Sequence, residues 1–199
     1  MSNQVYLVDD DEAIRDSLGW LLQSRGLTCT AFASAEEFLA AWSPQLAGCL
    51  LLDIRMQGMS GLQLFDRLLE LGNRLPVLFL TGHGDVPMAV SALKKGAFDF
   101  VEKPCDDKEL MGRVLEALQV DASNRASAAS SESINSRLEK LTTRERQIME
   151  LILAGKFNKV IADELQISMR TVEVHRANLF EKMGVRTAVE LSQLMTGRR

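Results

Sequence analysis

The feature that most constrains this chain is a short apolar run that stops at an acid. Cys49, Leu50, Leu51 and Leu52 precede Asp53 without a polar interruption. Such a run is typical of a parallel β-strand that is buried on both faces of its sheet. Its last residue then emerges at the carboxyl edge of the sheet, where open α/β sheets carry their functional groups. We therefore expect Asp53 to be functional.

Four further runs repeat the pattern. Strands are predicted at residues 5–8, 28–32, 76–81 and 98–101, each followed by a helical segment. Asp85 is predicted to cap the fourth helix, and the fifth is predicted to begin at Asp106 or Asp107 and to end near Gln119. Five βα repeats predict an α/β doubly wound, five-stranded parallel sheet of the flavodoxin-like kind, covered by helices on both faces. The strand ends would bring together Asp9, Asp10, Asp53, Thr81 and Lys103.

These five side chains suggest phosphoryl chemistry. Carboxylates at neighbouring strand ends repel one another, so a cation is expected between them, and oxygen ligands suit Mg²⁺ or Mn²⁺. Thr81 and Lys103 can stabilise a phosphoryl group in transfer. Asp53 is then the candidate nucleophile, forming an aspartyl phosphate.

Charge and composition divide the chain. Residues 1–120 carry 10 Lys/Arg against 17 Asp/Glu, whereas residues 121–199 carry 13 against 10. An acidic part that suits a cation and a basic part that suits a polyanion predict two domains, 1–120 and 138–199. Residues 121–137 are rich in Ser, Ala and Asn, which predicts either a linker or a solvated extension of the preceding helix.

The last part is predicted to be a small all-α domain of four helices. Thr142 with Glu145 forms a capping-box pattern, and Asn158, Ser168 and Thr187 are the predicted caps of the next three helices. The short connection at residues 166–168 predicts a helix-turn-helix, whose second helix normally enters the DNA major groove.

Helical periodicity sorts the side chains of that second helix. Its outer face predicts base contacts, and flanking polar residues predict phosphate contacts. His175 lies beside the inward line, which favours a partly buried hydrogen-bonding role over base reading. The predicted DNA-binding residues are Lys159, Arg170, Thr171, Glu173, Val174, His175, Asn178 and Lys182. The net charge is modest, so dimerisation is expected to be needed for tight binding.

At this point the chain resembles a known family. The segments VYLVDDDEA, LLLDIRMQGMSG, LTGHGD and FVEKP are similar to those of response-regulator receiver domains. The segment LTTRERQIMELILAGKFNKVIADELQISMRTVEVHRANLFEKMGV is similar to a LuxR/NarL-type output domain. Together with TGHGDVPMAV and RTVEVHRAN, these segments resemble the FixJ subfamily.

The resemblance implies a phosphorylation switch. A sensor histidine kinase would phosphorylate Asp53, and Mg²⁺ would be held by Asp10, Asp53 and the backbone carbonyl of Arg55, with Asp9 acting through water. An aromatic switch at Phe100 would respond to Thr81, and a receiver dimer would form through a face that includes Val90, Lys94 and Phe100. Dimerisation would promote binding to double-stranded DNA, with RNA polymerase as a further partner. The chain would be no enzyme beyond its own phosphorylation.

Two residues depart from the family pattern. Gln57 replaces a proline, so the loop after Asp53 is expected to be looser. Cys105 replaces a phenylalanine, either as a reactive thiol or as a tolerated small apolar residue.

Two other functions remain open. A haloacid-dehalogenase-type phosphatase also uses an aspartyl phosphate, and Asp9 with Asp11 matches its D-x-D pattern, although the hydroxyl expected after that pattern is absent. A receiver that acts only as an interaction module, without phosphorylation, is the other. The chain has no apolar run near the ~20 residues of a membrane span and no signal-peptide pattern, which predicts a cytoplasmic protein. The three cysteines predict neither disulfides nor a zinc site.

Overall fold

The computed structural model describes residues 3–82 and 86–196, and the chain divides into two compact units, residues 1–125 and 126–199. The first unit contains a five-stranded parallel sheet with strand order β2-β1-β3-β4-β5. Its strands are β1 (Gln4–Val8), β2 (Thr28–Phe32), β3 (Cys49–Asp53), β4 (Val77–Thr81) and β5 (Asp99–Glu102). The predicted doubly wound fold is confirmed, and β5 lies one residue later than predicted.

Two apolar layers hold the sheet between helices. Side chains alternate along a strand, so Leu51 and Leu78 join one core, whereas Leu50, Leu52 and Phe79 join the other. Every residue of β3 and β4 is buried. This burial explains why the two strands are continuous apolar runs in the sequence.

Five of the described helices begin in the first unit. They are α1 (Glu12–Ser24), α2 (Ala35–Ala41), α3 (Gly61–Glu70), α4 (Val86–Lys94) and α5 (Asp107–Glu139). Asp11, Ser34 and Ser60 cap α1, α2 and α3 through side-chain oxygens. The predicted cap at Asp85 lies outside the described residues.

Helix α5 is longer than predicted. It continues to Glu139 because residues 120–136 contain neither Gly nor Pro, and their alanines favour a helix. The predicted end near Gln119 is therefore wrong, and the stretch takes the helical alternative. The domain limits predicted from composition stay a prediction.

A buried acid near the middle of α5 is bound to the turn that precedes β3. Asp121 is only 3% exposed, and its Oδ2 accepts a 3.0 Å hydrogen bond from the backbone N–H of Gly48. Gly48 has φ +130°, and a Cβ there would lie 2.0 Å from the carbonyl oxygen of Gln4. The turn before β3 therefore requires glycine, and Asp121 satisfies its amide.

The second unit is helical, as predicted. Its helices are α6 (Thr143–Leu153), α7 (Asn158–Leu165), α8 (Met169–Met183) and α9 (Ala188–Thr196). Thr142 and Glu145 form the predicted capping box, and Ser168 caps α8. The cap predicted at Asn158 is wrong, because Asn158 is the first residue of α7 and Phe157 precedes it without a side-chain cap. A core that includes Ile148, Ile161, Val172, Leu179 and Leu191 holds the four helices together.

Candidate functional site

The carboxyl edge of the sheet brings three predicted residues into contact. Asp9 follows β1, Asp53 ends β3 and Lys103 follows β5. The Lys103 Nζ donates hydrogen bonds to Asp9 Oδ2 at 2.7 Å and to Asp53 Oδ1 at 2.5 Å. Both carboxylates are buried, with Asp9 1% and Asp53 7% exposed, whereas the Lys103 side chain is one quarter exposed. One ammonium thus bridges two acids from different strands.

Burial and charge act against each other at these groups. Burial raises the pKa of Asp53; Lys103 and the Arg55 backbone amide lower it in part, so its pKa stays above the usual value. Burial alone would lower the pKa of Lys103, but its bonds to Asp53 and Asp9 raise that pKa overall. The ammonium therefore stays charged between the two acids.

Thr81 ends β4 beside these residues. It is fully buried, and its hydroxyl donates a 3.0 Å hydrogen bond to the carbonyl of Gly82. The Lys103 backbone N–H donates to the Thr81 carbonyl at 2.7 Å, which ties the ends of β4 and β5 together. The register pairs Asp53 with Leu80, so Thr81 lies one residue beyond Asp53 on the neighbouring strand.

Asp10 is bound to the loop that follows the candidate nucleophile. It is exposed, and its Oδ2 accepts a 2.9 Å hydrogen bond from the backbone N–H of Gln57. A proline at this position would have no N–H to donate. Gln57, whose replacement of proline predicted a looser loop, therefore provides the N–H that binds Asp10. The sequence could not show this hydrogen bond, because every non-proline residue has a backbone amide.

Gly61 was not predicted to be a site residue, yet it lies against the backbone of Asp53. A Cβ at Gly61 would be 1.9 Å from the Asp53 carbonyl oxygen and 3.1 Å from Leu52 Cγ. Its N–H donates to the carbonyl of Ile54 at 3.0 Å. The start of α3 can approach the end of β3 only because residue 61 lacks a side chain. The one signal in the sequence was a glycine directly after the capping Ser60.

The oxygen-rich edge has the donor chemistry of a Mg²⁺ site. Asp9 and Asp53 both present carboxylate oxygens to the Lys103 ammonium. Hard oxygen ligands of this kind suit Mg²⁺. Within residues 3–82 and 86–196, no three His, Cys, Asp or Glu side chains are grouped to hold a metal, and Lys103 supplies the positive charge instead. The donor set fits Mg²⁺, and Asp10 would have to act together with Asp53.

The predicted switch and dimer residues lie on α4 and β5. Phe100 is half-buried and borders a groove of about 640 Å³ whose other lining residues include Lys103, Pro104, Glu109 and Arg113. Val90 is 40% exposed, and Lys94 is exposed. These three residues are thus partly or fully accessible.

Cys105 is half-buried and packs against the core that contains Leu110 and Val114. Burial raises the pKa of its thiol, which disfavours the reactive thiolate. The packing favours the interpretation of Cys105 as a small apolar replacement.

Helix α8 presents the side chains that its periodicity predicted. Val172, Leu179 and Met183 are fully buried. The opposite face is exposed and carries Arg170, Glu173, Val174, Ala177 and Asn178. Lys159 on α7 is also exposed, and the hydroxyl of half-buried Thr171 contacts Ser168 Oγ at 2.8 Å. This polar face could meet a DNA groove.

Two further side chains of α8, those of Arg176 and His175, are half-buried. The guanidinium of Arg176 lies over the ring of Phe180 at 5.2 Å, which is a cation–π contact. His175 is half-buried, and its imidazole has no hydrogen-bond partner among the described residues.

Lys182 is paired with a buried acid of α6. Its Nζ donates to both oxygens of Glu145, at 2.9 and 2.7 Å, and the backbone N–H of Thr142 donates to the same carboxylate at 2.7 Å. Burial would raise the pKa of Glu145, but these bonds lower it below the usual value. The contact of Lys182 with DNA phosphate stays a prediction. In this structure the Lys182 ammonium binds Glu145.

Both parts of the chain match known families. Residues 5–115 match the response regulator receiver domain, and residues 139–195 match the bacterial regulatory proteins of the luxR family. The C4-dicarboxylate transport transcriptional regulatory protein DctR of Rhodobacter capsulatus is 47% identical over 98% of this chain and 100% of its own length. FixJ of Bradyrhizobium diazoefficiens is 44% identical over 96% of this chain and 93% of its own.

Solved structures are similar as well. The response regulator StyR has a TM-score of 0.90 at 39% identity, over 97% of this chain and 98% of its own. Full-length FixJ from B. japonicum has a TM-score of 0.62 at 42% identity, over 98% and 96%. None of the described helices is long and apolar enough to cross a membrane.

Proposed function

This chain belongs to the response-regulator family as a phosphorylation-activated two-component transcriptional regulator with a LuxR-type output domain, and we propose that Asp53 is its phosphoryl acceptor. The observation that carries the proposal is the cluster at the sheet edge. Asp53 is a buried acid whose carboxylate is held 2.5 Å from an ammonium that also binds Asp9. A family member with this arrangement has a nucleophile and a counter-charge in one place.

The chemistry follows from these groups. An oxygen of Asp53 attacks the phosphorus of a phosphohistidine on a sensor kinase and forms a P–O bond. The P–N bond breaks, its electron pair stays on the imidazole nitrogen, and that nitrogen takes up a proton from water. Lys103 transfers its hydrogen bond to a phosphoryl oxygen, where its charge offsets the charge that Asp53 gains. The buried hydroxyl of Thr81 exchanges its bond to Gly82 for a second phosphoryl oxygen.

We assign Mg²⁺ to the carboxylates of Asp10 and Asp53 and the backbone carbonyl of Arg55, with Asp9 acting through water. When bound, the ion would neutralise charge on the phosphoryl oxygens. With the ion bound, Lys103 would offset only part of the negative charge of Asp9 and Asp53.

Phosphorylation of Asp53 promotes DNA binding through dimerisation of the chain. Inward movement of Thr81 draws Phe100 into the groove beside Lys103, which reshapes the accessible face that carries Val90 and Lys94. Two chains paired through that face present two copies of α8 to successive major grooves. On the exposed face of α8, Glu173 and Val174 meet base edges, and Arg170 and Lys159 contact phosphates. Such a regulator works in the cytoplasm, beside the DNA and RNA polymerase.

Phosphorylation of full-length Asp53→Asn by acetyl phosphate and Mg²⁺ tests the assignment, with intact mass as the readout. Wild type should gain one phosphoryl group and Asp53→Asn none, because an amide oxygen is a poor nucleophile. Asp16→Asn is the control, since Asp16 is an exposed acid on α1. Phosphorylation of Asp53→Asn at the wild-type rate would refute the acceptor assignment. Wild-type DNA binding that acetyl phosphate leaves unchanged would instead favour the interaction module.

A further inference from the structure

The last turn of α5 contacts the end of the helix that carries the exposed polar face. Arg137 Nη1 donates a 2.8 Å hydrogen bond to the carbonyl oxygen of Met183, the last residue of α8. The final carbonyls of a helix have no partner within the helix. A guanidinium at this end also interacts favourably with the helix dipole. Arg137 is therefore a side-chain cap for α8, supplied by another helix.

The chain after α8 is shaped to admit this cap. Gly184 has φ +66°, and its N–H bonds to the carbonyls of Glu181 and Phe180, which leaves the Met183 carbonyl to Arg137. A Cβ at Gly184 would lie 2.9 Å from Arg137 Nη1. Glycine at this position thus provides both the left-handed turn and the space for the guanidinium.

Arg137 lies just outside the part of the chain that matches the luxR family, which begins at residue 139. Arg137 nevertheless belongs to the helical second unit. The next residue, Leu138, packs against the core of that unit, and its carbonyl accepts a 2.8 Å hydrogen bond from Arg146. The neighbour of Met183, Lys182, is held by Glu145. Two contacts therefore fix the C-terminal end of α8. Arg137 binds the Met183 carbonyl, and Lys182 binds Glu145 of α6.

The length of α8 magnifies any movement at that end. Its 15 residues span about 22 Å, so a tilt of roughly 5° about the C-terminus moves the first turn by roughly 2 Å. Hydrogen bonds to base edges tolerate only a few tenths of an ångström. A small movement of the helix end at Met183 would thus displace Arg170 and Glu173 from their positions on DNA.

We propose that Arg137 is a positioning residue for DNA recognition. It fixes the C-terminal end of α8 and thereby the orientation of the exposed face of that helix. The proposal rests on the proposed DNA-reading role of α8. It assigns to the end of α5 a function in sequence recognition without a contact to a base.

The test compares sequence-specific with non-specific DNA binding by the full-length, acetyl-phosphate-treated chain. The specific probe is a duplex enriched from a random-sequence pool by wild type, and the non-specific probe is its scrambled version. Arg137→Met, which keeps the apolar stem, should lower the affinity ratio of the two duplexes roughly tenfold, the cost of misplacing about one base contact. Arg137→Lys, which keeps a charged donor, should retain most of the ratio.

Arg144→Met is the matched control, because Arg144 donates a bond of the same length to Leu165, the last residue of α7. It should lower thermal stability comparably and leave the ratio near that of wild type. An unchanged ratio in Arg137→Met would overturn the proposal, as would an equal fall in both variants. If Arg137→Met does not fold, Arg137→Gln and Arg137→Lys decide the matter through the same ratio.

If wild type enriches no duplex, the proposed DNA reading by α8 fails. What is then tested without DNA is only whether Arg137 fixes the C-terminal end of α8, by hydrogen exchange of amides in the last turns of that helix. Faster exchange in Arg137→Met than in Arg144→Met supports this, and equal exchange overturns it.

Discussion

Replacement of Lys182 by methionine should destabilise the helical unit, because it leaves the buried Glu145 carboxylate without its cation. Loss of one partner of a fully buried pair costs about 3–5 kcal/mol, and exposed pairs contribute about 0–1 kcal/mol. The Lys182 side chain is 34% exposed and that of Glu145 is 3% exposed. We therefore expect a decrease of about 2 kcal/mol in the free energy of unfolding, because solvent screens one side of the pair and Thr142 still binds Glu145.

This destabilisation should depend on pH in a defined direction. The folded state lowers the pKa of Glu145, so its contribution is present above the carboxyl's unfolded value and is lost as pH falls through the folded value. The stability gap between wild type and Lys182→Met should therefore be widest near neutral pH and should shrink at acid pH. In a double-mutant cycle, Glu145→Gln with Lys182→Met should cost less than the two single changes added together.

Denaturant unfolding of the full-length chain measures the stability, with hydrogen exchange of α6 and α8 amides to locate the change. The salt dependence of DNA binding supplies the opposing test. Removal of one phosphate interaction with duplex DNA lowers the slope of log affinity against log salt by about 0.9. Unchanged stability together with that slope change would refute the structural role and would establish Lys182 as a phosphate-binding residue.

Two further substitutions test the loop and turn around Asp53. Gln57→Pro removes the amide bonded to Asp10, whereas Gln57→Ala keeps it, so the two should differ by about 1 kcal/mol in unfolding free energy. In an Asp10→Ala background that difference should change by about 1 kcal/mol, and an unchanged difference there would mean that the hydrogen bond is not its source. Gly61→Ala forces a Cβ into the Asp53 backbone and should cost at least about 2 kcal/mol and slow phosphorylation, measured by denaturation and intact mass. Gly112→Ala, on an open part of α5, should be neutral or stabilising, and equal behaviour of the two alanine variants would contradict the steric argument.

The fold could be predicted where burial imposes a simple pattern. The strands β3 and β4 are buried at all positions, so their sequences are continuous apolar runs that end at Asp53 and Thr81. The caps at Thr142 and Ser168 were equally readable, because a side-chain oxygen before a helix has a local role. These signals depend only on neighbours in the chain.

Contacts between distant residues were not readable. The amide of Gln57 meets Asp10 across 47 positions, and Arg137 meets the Met183 carbonyl across 46. Backbone groups exist at nearly every residue, so the sequence does not show which of them a side chain will find. The partner of Lys182 was missed for a related reason, since an exposed lysine and one that reaches a buried acid look alike in sequence.

The hydrogen bond from Gly48 to Asp121 decides where the receiver can be cut as an independent fragment. A fragment that ends at residue 120, the limit that composition suggested, would lack the carboxylate and leave a buried amide in the turn before β3 without its acceptor. Such a group costs about 1–3 kcal/mol, a large share of the stability of a small domain. A fragment that ends after Arg125 keeps Asp121, and also the bond from the Arg125 guanidinium to the carbonyl of Gln45. The turn of α5 that carries these two side chains is thus part of the receiver's own fold.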